Sequence, residues 1–219
     1  MRIMKRKYGK YYILKCDIKK YFYNIDKNIL YNIMKKYIKD KKLLNLTYIF
    51  IFDNDEKIGI PIGNYTSQFF ANIYLNELDK YVKQELKVKY YIRYMDDIIL
   101  LVKTKEECIY LKQQIYEFIT KNLNLDYNKK SRYYPSNMGV NFCGYRIYET
   151  HKLLRERSKK KIKKNIKKWN KLYLNENLDY KKMLLCWNSW RGHAKHCNSY
   201  NFRYMMYDRI LAKHYIKFE

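Results

Sequence analysis

The chain has 219 residues and carries 47 Lys+Arg against 21 Asp+Glu, a formal charge of +26. A hydrophobic fraction of 47% is enough for a core and excludes a disordered basic tail. No apolar run reaches the ~18 residues needed to span a bilayer, and the basic N-terminus MRIMKRKYGK lacks the apolar stretch of a secretory signal. Cys16, Cys108, Cys143, Cys186 and Cys197 are odd in number and form no C-x-x-C pair, which suits a reduced, cytoplasmic protein. The charge points to a polyanionic partner. Nucleic acid fits better than a membrane surface, because no basic amphipathic anchor stands out.

Residues 10–17 (KYYILKCD) alternate as a strand, with Asp17 at its end on the face opposite Leu14 and Cys16. A helix follows from Asp26, its N-cap, with Leu30, Ile33, Met34, Tyr37 and Ile38 on one face. Residues 48–52 (YIFIF) read as a short strand. A Gly-Ile-Pro-Ile-Gly loop at 59–63 leads to a helix capped by Thr66 or Ser67 and carrying Phe70, Ile73, Tyr74, Leu78, Tyr81 and Val82. Residues 90–102 (YYIRYMDDIILLV) read as a hairpin, because a turn spares Asp96 and Asp97 the cost of lying inside a buried strand. Thr104 and Glu107 have capping-box spacing ahead of a helix with Cys108, Leu111, Ile115, Phe118 and Ile119 on one side. Residues 139–148 read as another strand pair.

After His151 the composition shifts to 19 Lys+Arg against 5 Asp+Glu, and helical spacing takes over. It links Ile162, Ile166 and Trp169, then Leu184, Leu185 and Trp187, then Tyr204, Tyr207, Ile210 and Leu211. The expected architecture is an α+β domain over 1–150 with element order β-α-β-α-β-β-α-β. A small basic helical domain over 151–219 follows it.

The chemistry lies in three carboxylates, Asp17 at a strand end and Asp96 and Asp97 at a turn. Hard oxygen ligands of this kind suit Mg²⁺, and two such ions about 3.5–4 Å apart serve phosphoryl transfer. An Asp-Asp pair is also an ordinary turn dipeptide. His193, His196 and Cys197 lack a convincing fourth zinc ligand, and helical placement suits them better. The tyrosine pairs Tyr11-Tyr12, Tyr90-Tyr91 and Tyr133-Tyr134 could stack on bases, but half-buried strand positions explain them as well.

Six blocks, in order, resemble bacterial reverse transcriptases. They are CDIKKYF (16–22), GIPIGNYTSQFFANIYL (59–75), YMDD (94–97), NKKS (128–131), FCGYRIY (142–148) and SWRGHAKHCNSYNFR (189–203). The resemblance covers about residues 10–205. It implies a polymerase palm, an antiparallel sheet with packed helices, followed by a helical thumb. It also implies RNA-directed DNA synthesis with two Mg²⁺ ions on Asp17 and Asp96, with Asp97 beside them. Phe22 would wall off the sugar 2′ position, and Lys130, or Lys129 in its place, would protonate the leaving pyrophosphate. Ile62, Gly63, Ser67 and Gln68 would contact nucleotide or template. Most of the family reads Gln-Gly-x-x-x-Ser-Pro in that block. Ile62 for Gln and Gln68 for Pro are similar to the enzymes of diversity-generating retroelements, which copy template RNA with adenine-biased errors.

The implied partners are an RNA template, a DNA or RNA primer, dNTPs and, for that subgroup, a small basic accessory protein. The family carries a fingers region before its first catalytic block, and here only 16 residues precede Asp17. The fingers are therefore expected to be largely absent and polymerisation by this chain alone to be poor. The alternatives are a catalytically inactive, RNA-binding, maturase-like fragment and an RNA-dependent RNA polymerase sharing the palm.

Overall fold

The computed structural model describes residues 1–218. It divides the chain into two compact units, Ile3–Ser136 with Met1, and Asn137 onward with Arg2.

In the first unit, α1 (Arg2–Tyr8) precedes β1 (Tyr12–Asp17), α2 (Lys27–Tyr37), α3 (Lys41–Ile51) and α4 (Tyr65–Lys80). Then come β2 (Tyr91–Tyr94), β3 (Asp97–Val102), α5 (Lys105–Leu123) and β4 (Arg132–Pro135). The strands form one antiparallel sheet in the order β2-β3-β1-β4. Pairing Leu14 with Leu100 and Cys16 with Ile98 sets one face of the sheet against a core. That core includes Leu30 and Ile33 of α2, Tyr74 and Leu75 of α4, and Ile115 and Ile119 of α5. Each fully buried aliphatic side chain there stabilises the fold by about 1.5–3 kcal/mol relative to exposure. The same register places Asp17 opposite Asp97, so the hydrophobic pattern that fixes the core also fixes the acidic face.

The helix starts show how local chemistry sets the boundaries. Asp26 accepts from the amides of Asn28 (2.9 Å) and Ile29 (3.1 Å) to open α2. Thr104 and Glu107 form the reciprocal capping box that opens α5. Three expectations are corrected. Residues 48–52 end a helix and form no strand. Asp40 caps α3 by accepting from Leu43 N at 2.7 Å, and Thr47 and Ile51 are buried one turn apart at the helical period. The N-cap of α4 is Asn64, which puts Thr66 and Ser67 inside the first turn. The fourth strand, β4, is additional to the expected order and pairs along the free edge of β1.

The second unit begins with β5 (Val140–Phe142), β6 (Tyr145–Ile147) and β7 (Lys152–Leu154), a separate antiparallel sheet. Cys143 and Gly144, both at positive φ (45° and 86°), make the two-residue turn between β5 and β6. These strands pair only with one another, which is why the division falls at 136/137 and not near residue 150. Helices α6 (Glu156–Leu174), α7 (Tyr180–Lys195) and α8 (Tyr200–Asp208) follow. Ile162, Ile166 and Trp169 of α6 pack with Met183, Trp187, Met206 and Ile210. Leu184 and Leu185 are exposed because Met183, Trp187 and Ala194 set the buried stripe of α7, and Tyr204 and Leu211 are exposed while Met206 and Ile210 turn inward. Among the described residues no helix is long and apolar enough to cross a membrane.

Candidate active site

The β2–β3 hairpin turns at Met95-Asp96, with Tyr94 paired to Asp97. Met95 takes φ 54°, a left-handed conformation that costs a non-glycine residue about 1 kcal/mol or more. Arg93 holds this turn in place. Its Nε and Nη2 donate to both carboxylate oxygens of Asp79 on α4 (2.8 and 2.5 Å), and its Nη1 donates to Met95 O (3.1 Å) and to Asn72 Oδ1 (3.2 Å). Tyr91 Oη donates to the same Asp79 (2.5 Å), and burial, then the Asp79 charge, push its phenol upward. The acidic turn is thus tied to α4 by a forked, largely buried guanidinium.

Asp17 is fixed through its backbone. Ser131 Oγ accepts from Asp17 N (3.0 Å) and donates to Asp17 O (3.1 Å), and Asn128 N also donates to Asp17 O (2.7 Å). The 128–131 loop is itself folded by Asn128, whose Oδ1 accepts from Lys130 N (3.2 Å). Its place beside Asp17 puts the Lys130 charge within reach of that carboxylate.

Burial first, then the charges of Asp96 and Asp97, raise the Asp17 carboxyl above its ordinary value, against the pull of Lys15 and Lys130. Burial and then Asp97 likewise raise Asp96, against a backbone hydrogen bond and Lys15. Asp97 is drawn to Lys15 Nζ at 2.8 Å. The structure therefore brings Asp17 and Asp96 together as a crowded acidic pair and commits Asp97 to an ion pair. Among the described residues no group of three or more His, Cys, Asp or Glu side chains is arranged as a metal cage. The donor set still fits Mg²⁺, which commonly takes one or two carboxylates and completes its shell with water and substrate phosphates.

Phe22 is half-buried, edge-on to Tyr21 at 5.7 Å and 66°, and packs on the first unit's core. Tyr21 Oη donates to Ala71 O of α4, while Phe22 O accepts from Ile60 N (2.9 Å) and Ile25 O from Gly59 N (2.8 Å). The 57–60 segment is thus strapped along residues 22–27. Gly59, at φ 93°, passes so close that a Cβ would meet Tyr23 O at 3.3 Å. Ile62 is exposed, Gly63 sits at φ 108° in open space, and Ser67 is buried. Gln68 lines a cavity beside the turn with Asn72, Arg93, Tyr94 and Met95.

In the second unit His193 stacks on Tyr145 (4.6 Å, 10°) and Cys197 Sγ donates to Ala194 O (3.3 Å). Sequence reading missed Ser131, Asn128, Arg93 and Asp79. Asn128 and Ser131, the two ends of the NKKS block, and Arg93, just before the YMDD turn, lay in or beside a recognised motif, and Asp79 did not.

Solved structures of telomerase share the architecture. The Candida tropicalis enzyme, in complex with a fragment of telomeric RNA, superposes with a TM-score of 0.53 over 74% of this chain and 35% of that one, at 14% identity. The Candida albicans enzyme gives 0.52 over 96% of this chain and 45% of that one, at 13% identity. The fold is therefore that of a polymerase palm followed by a small helical thumb. The chain belongs to the reverse transcriptase (RNA-dependent DNA polymerase) family, whose model matches residues 1–147. It is 26% identical to the putative COX1/OXI3 intron 2 protein of Saccharomyces cerevisiae, over 64% of this chain and 24% of that protein. It is 27% identical to the group II intron-encoded protein LtrA of Lactococcus lactis, over 67% of this chain and 37% of that protein. The chain thus spans well under half the length of these relatives.

Proposed function

We propose that this chain supplies the palm and thumb of an RNA-directed DNA polymerase that extends a DNA or RNA primer with dNTPs on an RNA template. The observation that carries this reading is the β1–β3 register, which sets Asp17 beside the Met95-Asp96 turn. Asp17 and Asp96 are the residues that would hold Mg²⁺. An Mg²⁺ ion held there would supply Lewis-acid activation of the primer 3′-hydroxyl and charge neutralisation at the leaving pyrophosphate. Lys130 is the proton donor to that pyrophosphate. Phe22 rejects ribonucleotides by occupying the space of a 2′-hydroxyl. Asp97, held by Lys15, shapes the turn. Primer extension on an RNA template tests this. Asp96→Asn abolishes extension, and an Asp96→Asn protein that extends as fast as wild type overturns the assignment.

The finer reading, an error-prone enzyme of a diversity-generating retroelement, rests on Ile62 and Gln68. Ile62 offers no hydrogen bond where most of the family has Gln, and its exposure leaves it free to meet nucleotide or template. Sequenced products with substitutions concentrated at template adenines support that subtype, and a flat error spectrum rejects it. A second reading, an RNA-binding maturase-like protein without polymerase activity, is favoured by the intron-encoded relatives and the basic second unit. Salt-dependent RNA binding without extension selects it.

A further inference from the structure

Lys27 is the first residue of α2, and its side chain is wholly buried. Neither fact serves the helix. A cation in the first turn opposes the helix dipole, and a buried ammonium is costly unless it is paired. Its partners lie outside α2: Nζ donates to Asp53 Oδ1 (3.1 Å) and to Asn54 Oδ1 (2.7 Å). Asn54 Oδ1 also accepts from Glu56 N (3.1 Å), so the acceptor that meets Lys27 folds its own loop as well. No residue from 53 to 58 is buried. The segment therefore has no apolar anchor before Ile60, and the ammonium ties its upstream end to α2.

The downstream end leads to the candidate site. Lys27 N donates to Lys57 O (3.1 Å), and Ile58 bridges to Asp26. Gly59 N then donates to Ile25 O (2.8 Å) and Ile60 N to Phe22 O (2.9 Å). Side chain and backbone of one residue thus grip the same segment at two points. Two residues beyond Ile60 stand Ile62 and Gly63, in the loop that enters α4. The 57–60 strap therefore joins two parts of the proposed nucleotide site, the Phe22 wall and the Ile62-Gly63 loop, and Lys27 anchors its other end. A residue that fixes such a site through backbone governs its selectivity without touching substrate, because a misplacement of about 1 Å can cost about a hundredfold.

We infer that Lys27 is a positioning residue for nucleotide selection. Its clamp on Asp53 and Asn54 holds the strap against residues 22–27, and the strap fixes where Phe22 stands relative to the Ile62-Gly63 loop. The inference rests on the polymerase reading for what the site selects, and on the hydrogen bonds alone for the clamp.

The full chain is bound to a primer on an RNA template, the primer lacking its 3′-hydroxyl so that nucleotide binding is read without reaction. Affinities for dATP and ATP are measured with Mg²⁺ for wild type and Lys27→Met. The expected result is a loss of about tenfold in the preference for dATP, with affinity for the primer–template unchanged. Amide exchange supplies a second readout that needs no nucleotide. The Gly59 and Ile60 amides should exchange at least about tenfold faster in Lys27→Met, while that of Leu14 in β1 keeps its rate. If Lys27→Met does not fold, Asn54→Ala carries the same comparison, because it removes the 2.7 Å acceptor and leaves the ion pair to Asp53. An unchanged preference in the folded variant overturns the inference and leaves the proposed function standing. Equal acceleration at Leu14 also overturns it, because the loss is then global. A wild-type chain that shows no preference for dATP overturns the proposed selection by Phe22, and this inference with it.

Discussion

Replacing Arg93 by Met should separate the turn from α4. The fork to Asp79 is 10% exposed on the Arg side and 25% on the Asp side. Removing one partner of a buried pair costs about 3–5 kcal/mol, most of it from the charge left behind. Asp79 retains Tyr91 Oη as a donor and some solvent, so about 2–3 kcal/mol is the better figure here. For a chain of this size that lowers the melting temperature by roughly 5–10 °C. Met95 O loses its 3.1 Å donor at the same time, so the strained turn carrying Asp96 loses its restraint. A displacement of about 1 Å at a reacting group can cost about a hundredfold in rate. Thermal melts and single-turnover primer extension read the two effects separately. Arg93→Met/Asp79→Leu should recover part of the stability, because no orphaned carboxylate remains, and none of the rate. The reasoning fails if Arg93→Met melts within 1–2 °C of wild type (less than about 0.5 kcal/mol) and extends normally. It also fails if the double variant loses the sum of the two single losses.

Ser131→Ala removes both side-chain bonds to the Asp17 backbone, and about 1–2 kcal/mol of stability should go with them. Extension should fall with it while duplex affinity holds; unchanged extension by a destabilised protein would show the contact to be structural only. Asp17 and Asp96 titrate above ordinary carboxylates when folded, so the native state holds protons that the unfolded chain has released. Stability must therefore fall as pH rises from the ordinary carboxylate value through their raised values. Asp96→Asn should flatten that fall and melt higher than wild type at neutral pH, and matching pH profiles would refute the crowding. Lys27 is wholly buried and donates to Asp53 (3.1 Å) and Asn54 (2.7 Å), whereas Asp53 is 38% exposed. Asp53→Ala/Asn54→Ala should thus cost about 3–5 kcal/mol, more than Lys27→Met, because it strands the buried charge and not the hydrated one. Urea midpoints that rank the variants the other way would refute this.

The parts of the fold legible in the sequence were those written locally. Asp26 and the Thr104/Glu107 pair announced their helices because capping is decided within four residues. The 90–102 hairpin followed from the cost of burying adjacent carboxylates, but the expected acidic pair at its turn is split: Asp96 lies in the turn and Asp97 opens β3. Residues 48–52 misled because aromatic and β-branched residues suit strands. Their strand reading had no register partner to meet, and the decisive signal, Asp40, lay eight residues upstream. β4 escaped because Arg132–Pro135 is an edge strand whose only partner, β1, lies more than a hundred residues earlier. At the site, Asp17 and Asp96 stood out by chemistry. Arg93, Asp79 and Ser131 are ordinary residue types, and their roles come from contacts of long sequence separation.

Those contacts explain how an acidic pair persists at its post in so basic a chain. Lys15, 2.8 Å from Asp97, opposes the repulsion that Asp97 exerts on Asp17 and Asp96 without cancelling it. The other two stay crowded, and their raised carboxyls record the cost of holding them there. What holds them is backbone: Asn128 and Ser131 grip Asp17 through its amide and carbonyl, and Arg93 grips the turn through Met95 O. Neither carboxylate group is needed for its own positioning by these bonds. A divalent cation at the proposed site would relieve that repulsion, so the cost of crowding the two carboxylates would return as affinity for the cation.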